Sequence, residues 1–305
     1  MICIKHLFHF YKRIIIILLF SWSTIFPFNI KAQNYAGKSY AYNALIGAFS
    51  GGVGSLINKH PGQKWHKAFA KGFVTGLAGG SIVFGGKKLN YFVGKKQSLG
   101  YAWLSRAAFS AGNSIIENAA ANRNFWEVWH YDIAFVRIEF VTKNLTVTPR
   151  FMPSTFGGTV FMAIHGKLDA KTSLRSGTLT FRTPSIRYSP NFVASTPTNG
   201  ILFTDTLRAG STFYYVYGHE MIHTFQFQEF SACNYFLKPV TNKWENNPKF
   251  KKLHKWIYGD LNYEVMLVNY FIIQKGHKRI DYCKNFLENE AESLSTNRPA
   301  CPTDQ

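Results

Sequence analysis

His219 and His223 stand four residues apart in the run His219-Glu220-Met221-Ile222-His223. On an α-helix, positions i and i+4 share a face, so both imidazoles can reach one metal ion. Glu220 lies beside them, where its carboxylate can contact a water held by the metal without taking a ligand position. Zinc brings the pKa of such a water towards neutrality, and Glu220 is placed to accept its proton as it attacks a carbonyl. A catalytic zinc of this kind needs a third protein ligand and one open position.

Around the motif the chain reads Val216-Tyr217-Gly218-His219-Glu220-Met221-Ile222-His223-Thr224-Phe225. This resembles the extended zincin pattern, with uncharged residues between and around the ligands and no proline. The metzincin arrangement is excluded, because Gln226 and Glu229 stand where it requires Gly and His. The segment Asn285-Phe286-Leu287-Glu288-Asn289-Glu290-Ala291-Glu292 instead resembles the glutamate-bearing helix of gluzincin peptidases. That resemblance implies Glu288 as third zinc ligand and Glu292, one turn on, as acceptor for a ligand imidazole's N–H. The family usually has Asp at this last position. Glu290 points about 200° away from Glu288 on a helix, so it is expected to be dispensable. Should none of the three matter, Glu229, Asp260 and Glu264 come next. The resemblance covers residues 211–294.

The elements that must position these residues fall into three textures. Residues 38–125 are rich in Gly and Ala and read as helices. Gly47-xxx-Gly51 and Gly72-xxx-Gly76-xxx-Gly80 line helix faces that allow close approach, as in membrane helix pairs. The apolar run 69–86 is short of the ~20 residues that span a bilayer, which favours a packed hairpin over a span. Tyr101–Asn122 reads as a further helix that Arg106 and Glu117 bar from lipid. Residues 130–206 turn to the two-residue period of strands: YDIAFVRIEFV, LTVTPRF, GTVFMAIHG, GTLTFRT and ILFT. Residues 211–294 are helical again, with helices expected over 211–230, Leu261–Gln274 and Asp281–Leu294. The fold class is therefore α+β: a Gly-rich helical region (33–129), then a zincin-like domain (130–305) with a small, mostly antiparallel sheet and the active-site helices.

The chain has 305 residues, 46% of them hydrophobic, enough for a sizeable core. Its 35 Lys+Arg against 16 Asp+Glu give a net charge of +19, which favours anionic partners such as a lipid or cell-wall surface. No nucleic-acid module accompanies that charge, and no nucleic-acid partner is expected. Residues 1–32 read as a signal peptide: Lys5, Lys12 and Arg13 precede the apolar run IIIILLFSWSTIFPF, and Ala32 marks the cut. Cleavage there would leave +15 on the mature chain. Among Cys233, Cys283 and Cys301 the preferred pair is Cys283–Cys301, and no CxxC thiolate zinc site exists. His130 and His165 are lone histidines of structural type. Tyr258, Tyr263, Tyr270 and Tyr282 are open candidates for an oxyanion donor.

The sequence thus points to an exported zinc-dependent peptidase of the periplasm or outer envelope of a Gram-negative-type bacterium, acting on peptide or protein. Zn2+ would be held by His219, His223 and Glu288, with Glu220 as general base. The alternative is a non-catalytic zincin-like envelope protein, attached to membrane or a partner through its Gly-rich helices.

Overall fold

Glycines four apart leave a helix face without side chains, and the first two helices meet on such faces. α1 (Tyr35–Ile57) and α2 (Trp65–Leu89) run antiparallel, with Gly47 against Gly76 and Gly51 against Gly72. A Cβ on any of these four would land on a carbonyl oxygen of the opposite helix. After the short α3 (Tyr91–Lys95), α4 (Gly100–Ala120) closes on a second face of α2, where a Cβ at Gly79 would meet the Gly112 carbonyl oxygen at 2.8 Å. The stretch Trp65–Lys95 is long and apolar enough, by composition, to cross a membrane. In the fold the glycine contacts occupy one side of it, while Val74, Leu77 and Ile82 face outward.

The computed structural model describes residues 35–186, 193–207, 210–266 and 285–296. The signal segment, Cys283, Cys301, Tyr270, Tyr282 and residues beyond 266 of the Leu261–Gln274 helix lie outside them.

The strand region differs from its sequence reading in three ways. YDIAFVRIEFV is a hairpin and not one strand: β1 (Val128–Ile133) and β2 (Val136–Val141) pair antiparallel around Ala134-Phe135. Ala134 there takes a positive φ of 52°. No Asn-Gly or Asp-Gly marks that turn, so the alternation reads straight through it. GTVFMAIHG, except its last glycine, lies within α5 (Pro153–His165). Pro153 at the first helical position pre-sets φ for a helix, and Thr155 and Met162, seven residues apart, are its buried residues. Finally there are two sheets. The first is β1-β2-β3 (β3, Thr146–Phe151), antiparallel throughout. The second is β4-β5-β7-β6, from β4 (Lys167–Leu168), β5 (Leu179–Thr183), β6 (Ala194–Ser195) and β7 (Gly200–Thr204). Its β5/β7 pair is parallel and the other two pairs are antiparallel. The crossover between β5 and β7 makes a parallel pair topologically possible. A short helix, α6 (Ala170–Ser176), capped by the Asp169 side chain, links β4 to β5.

Every residue of β7 is buried, as expected of a central strand that reads as a continuous apolar run. On it packs α7 (Ser211–Gln228), whose Phe213, Tyr217, Met221, Ile222 and Phe225 enter the main core with Val83, Phe109 and Phe203. Phe109 of α4 stacks on Phe225 at 4.4 Å. Each such side chain contributes roughly 1.5–3 kcal/mol on burial. A short 3-10 turn (Ser231–Leu237), α8 (Lys238–Trp244), α9 (Pro248–His254) and α10 (Phe286–Thr296) complete the described elements. Tyr35–Gln305 forms one compact unit.

Arg106 and Glu117 on α4 are both buried, in protein and not lipid. Arg137 of β2 bridges Asp132 at 2.8 Å and Glu117 at 3.0 Å and stacks over Tyr258 at 3.8 Å. Burial alone would raise the Glu117 carboxyl, but the charges of Arg137 and His130 outweigh it and bring it to about 2.

Candidate metal centre

Helix α7 carries His219, Glu220 and His223, and α10 crosses beside it. At the start of α10 the Asn285 side chain accepts from the Leu287 N–H at 3.0 Å. Leu287, Ala291 and Leu294 are buried, with Ala291 and Leu294 in the same core cluster as α7. This leaves Glu288 and Glu292, one turn apart, facing the histidines. The middle of α7, directly before His219, is tied to the glycine-rich helices by Asn90, whose side chain donates to the Gly218 carbonyl.

Three donor atoms converge. His219 Nε2 lies 3.1 Å from His223 Nε2 and 3.2 Å from Glu288 Oε2, and His223 Nε2 lies 3.3 Å from Glu288 Oε2. Among the described residues this is the group of His, Cys, Asp or Glu side chains that could hold a metal ion. Zinc–nitrogen and zinc–oxygen bonds of about 2.0–2.1 Å set the edge of a tetrahedron at about 3.3 Å. The observed separations match that edge, and two imidazoles with one carboxylate are a normal donor set for the ion.

The far side of each imidazole is also engaged. His219 Nδ1 is 3.2 Å from Glu292 Oε2, so Nδ1 carries a proton, and Nε2 is the nitrogen that would exchange its own for a metal ion. His223 Nδ1 is 2.8 Å from Gln226 Oε1. Burial would lower the His219 imidazole, but hydrogen bonds to Glu288 and Glu292 outweigh it and raise it to about 10. His223 is raised in the same sense, by the charge and hydrogen bond of Glu288 against the effect of burial. Burial would raise Glu288, yet the charge of His223 and the bond from His219 hold it far below the usual carboxylate range. Without a metal the cluster is thus held by charge, and a cation entering it displaces protons.

Glu220 is 7% exposed and lies outside the converging triad. Its Oε2 accepts from the Thr196 hydroxyl at 2.6 Å, and Oε1 has no hydrogen bond among the described residues. Thr196 follows the edge strand β6 directly. Nothing in the sequence marks it, since only the sheet brings residue 196 against residue 220.

The expectation for Glu290 needs correcting in one respect. It does point away from the histidines, but it is 1% exposed and far from idle. Its carboxylate accepts from Asn43 Nδ2 at 2.7 Å, Lys87 Nζ at 2.9 Å and Gln226 Nε2 at 2.9 Å. Lys87, itself fully buried, also pairs with Glu229. Burial lowers the Lys87 ammonium, and Glu290 opposes that shift. Glu290→Ala leaves two buried N–H groups and part of the Lys87 charge unpaired, at about 1–3 kcal/mol per group. Thermal or urea unfolding of the metal-free variant should show that loss. A melting curve superimposable on wild type would mean that the network contributes nothing.

The reserve ligands are all engaged elsewhere. Glu229 is on Lys87. Asp260 accepts the Ser154 and Thr155 backbone N–H groups at 3.0 and 2.7 Å. Glu264 accepts from the Ser154 hydroxyl at 2.7 Å. Tyr258 lies in the Arg137 cluster and Tyr263 stacks on Phe227, so neither has an observed role at the metal group. His130 is buried against Ser114, and the His165 ring bonds the Phe161 carbonyl. A cleft of about 670 Å³ at the foot of α7, lined by Asp169, Arg175, Arg182 and Tyr214 among others, includes none of the metal-group residues.

The chain matches no protein-family model, and no curated protein or solved structure is detectably similar to it. What stands on its own geometry is an α+β protein with a buried His219/His223/Glu288 group able to bind a metal ion.

Proposed function

We propose that this protein is an exported zinc peptidase of the HExxH, gluzincin-like type. One observation carries the reading: two imidazole nitrogens and the Glu288 carboxylate, from two helices (Ser211–Gln228 and Phe286–Thr296) distant in sequence, converge at tetrahedral-edge distances. Zinc bound there would supply a Lewis acid that polarises a peptide carbonyl and acidifies water. Glu220 would accept the proton of the attacking water on its free Oε1 and return it to the leaving amine. Thr196 holds the other oxygen, so the carboxylate keeps one orientation. Among the described residues β6 is an edge strand of its sheet, and Thr196 at its end touches Glu220. An extended peptide could add to that edge through main-chain hydrogen bonds. Export rests on the N-terminal segment alone.

The test is the metal content of the purified mature chain, beside cleavage of casein with and without a chelator. The expected result is about one zinc per chain in wild type, its loss in His219→Ala, and chelator-sensitive cleavage. Absence of stoichiometric zinc would sink the reading. Zinc without proteolysis would favour a non-catalytic envelope protein. For that second reading the supporting observation is the outward apolar face of α2, Val74, Leu77 and Ile82, with Lys71 and Lys88 at its two ends, suited to an anionic lipid surface.

A further inference from the structure

Gln226 is one turn beyond His223 on α7, and its side chain is 1% exposed. Both hydrogens of its amide have acceptors: Nε2 lies 3.0 Å from the Leu287 carbonyl oxygen and 2.9 Å from Glu290 Oε2. A backbone carbonyl can only accept, so the amide nitrogen must face α10. The Glu290 oxygens are already committed as acceptors, to Asn43 of α1 and Lys87 of α2. The Gln226 carbonyl is thereby turned towards His223, where Oε1 lies 2.8 Å from Nδ1. An amide oxygen cannot donate either, so Nδ1 must carry hydrogen, and Nε2 is the nitrogen left for a metal ion, which would displace any proton there.

We infer that Gln226 is the positioning residue of His223, held in the required orientation by Leu287 and by a buried relay through Glu290 to Lys87 and Asn43. The two ligand histidines are thus oriented by different means. His219 relies on the half-exposed Glu292, and His223 on a neutral amide braced from the glycine-rich helices. The metal group is coupled through this relay to α1 and α2, which carry no ligand themselves.

The inference rests on the zinc reading, and the experiment separates the two. Gln226→Leu removes the acceptor for Nδ1–H while keeping bulk. Gln226→Glu keeps an acceptor but loses both donors and sets a carboxylate against Leu287 and Glu290. Both variants should melt at a lower temperature than wild type when metal-free. Zinc affinity, read by competition with a chelator, should fall about 10–100-fold in Gln226→Leu, the range for a lost partner of a ligand histidine. In Gln226→Glu it should stay within a few-fold of wild type. Equal losses in the two variants would mean that affinity follows packing, and would overturn the positioning role. So would wild-type affinity in Gln226→Leu. In metal-free protein labelled with nitrogen-15, the same bond should give a slowly exchanging His223 Nδ1–H proton, present in wild type and Gln226→Glu and missing in Gln226→Leu. That signal reads the positioning even if wild type proves to bind no zinc, which would remove the zinc reading alone. Its persistence in Gln226→Leu would again overturn the inference.

Discussion

Glu220→Gln is expected to abolish peptide hydrolysis and leave zinc bound. The substitution is isosteric, and an amide oxygen can still accept from Thr196, which donates to Glu220 Oε2 at 2.6 Å. The fold around α7 should therefore not move. What is lost is the ability to take up a proton, since a neutral amide is no base at neutral pH. General-base catalysis contributes about 10²–10⁴-fold, so turnover should fall by at least that factor while the zinc content of the purified variant stays at the wild-type level. Glu220 stands outside the converging donor group, which is why metal and activity should part company here. Turnover near wild type would eliminate the mechanism. Loss of zinc together with activity would instead make Glu220 a ligand.

The second large effect belongs to Glu288. Its Oε2 lies 3.2 and 3.3 Å from the two Nε2 atoms, so Glu288→Ala removes one of three donors and the only negative charge among them. Zinc affinity should fall well beyond the about 10–100-fold typical of a partner one bond removed from the metal. Activity should disappear at ordinary zinc concentrations. Glu292→Ala takes away only the acceptor of His219 Nδ1 and belongs in that smaller range. Titrating both variants against a competing chelator gives the order directly. Equal small losses would mean that Glu288 is not a ligand. The reserve carboxylates could not then take its place without rebuilding, because Glu229, Asp260 and Glu264 are each bonded to other groups.

Helical spacing put His219 and His223 on one face, and the same arithmetic put Glu288 and Glu292 together with Glu290 opposite. These are local properties of a chain in a known secondary structure, so they can be read before any tertiary contact is known. The glycine spacing of α1 and α2 was legible for the same reason. Where local pattern was ambiguous the reading slipped. The β1–β2 hairpin turns at Ala134-Phe135 without turn residues, and α5 is rich in the β-branched and aromatic residues that also favour strands. Gln226 was within reach, because i and i+3 neighbours meet on a helix, and His223 is its i−3 partner.

The remaining features depended on segments distant in sequence. Thr196 meets Glu220 only because β6 pairs with β7 beside α7. Lys87 and Asn43 meet Glu290 across about 200 and 250 residues. A lysine on a glycine-rich helix and an outward-reading glutamate each look like solvated groups in sequence. Burial of both in one place makes their pairing obligatory, because an uncompensated buried charge costs several kcal/mol. Which buried groups share a site is set by how the helices cross, and that is a property of the tertiary structure alone.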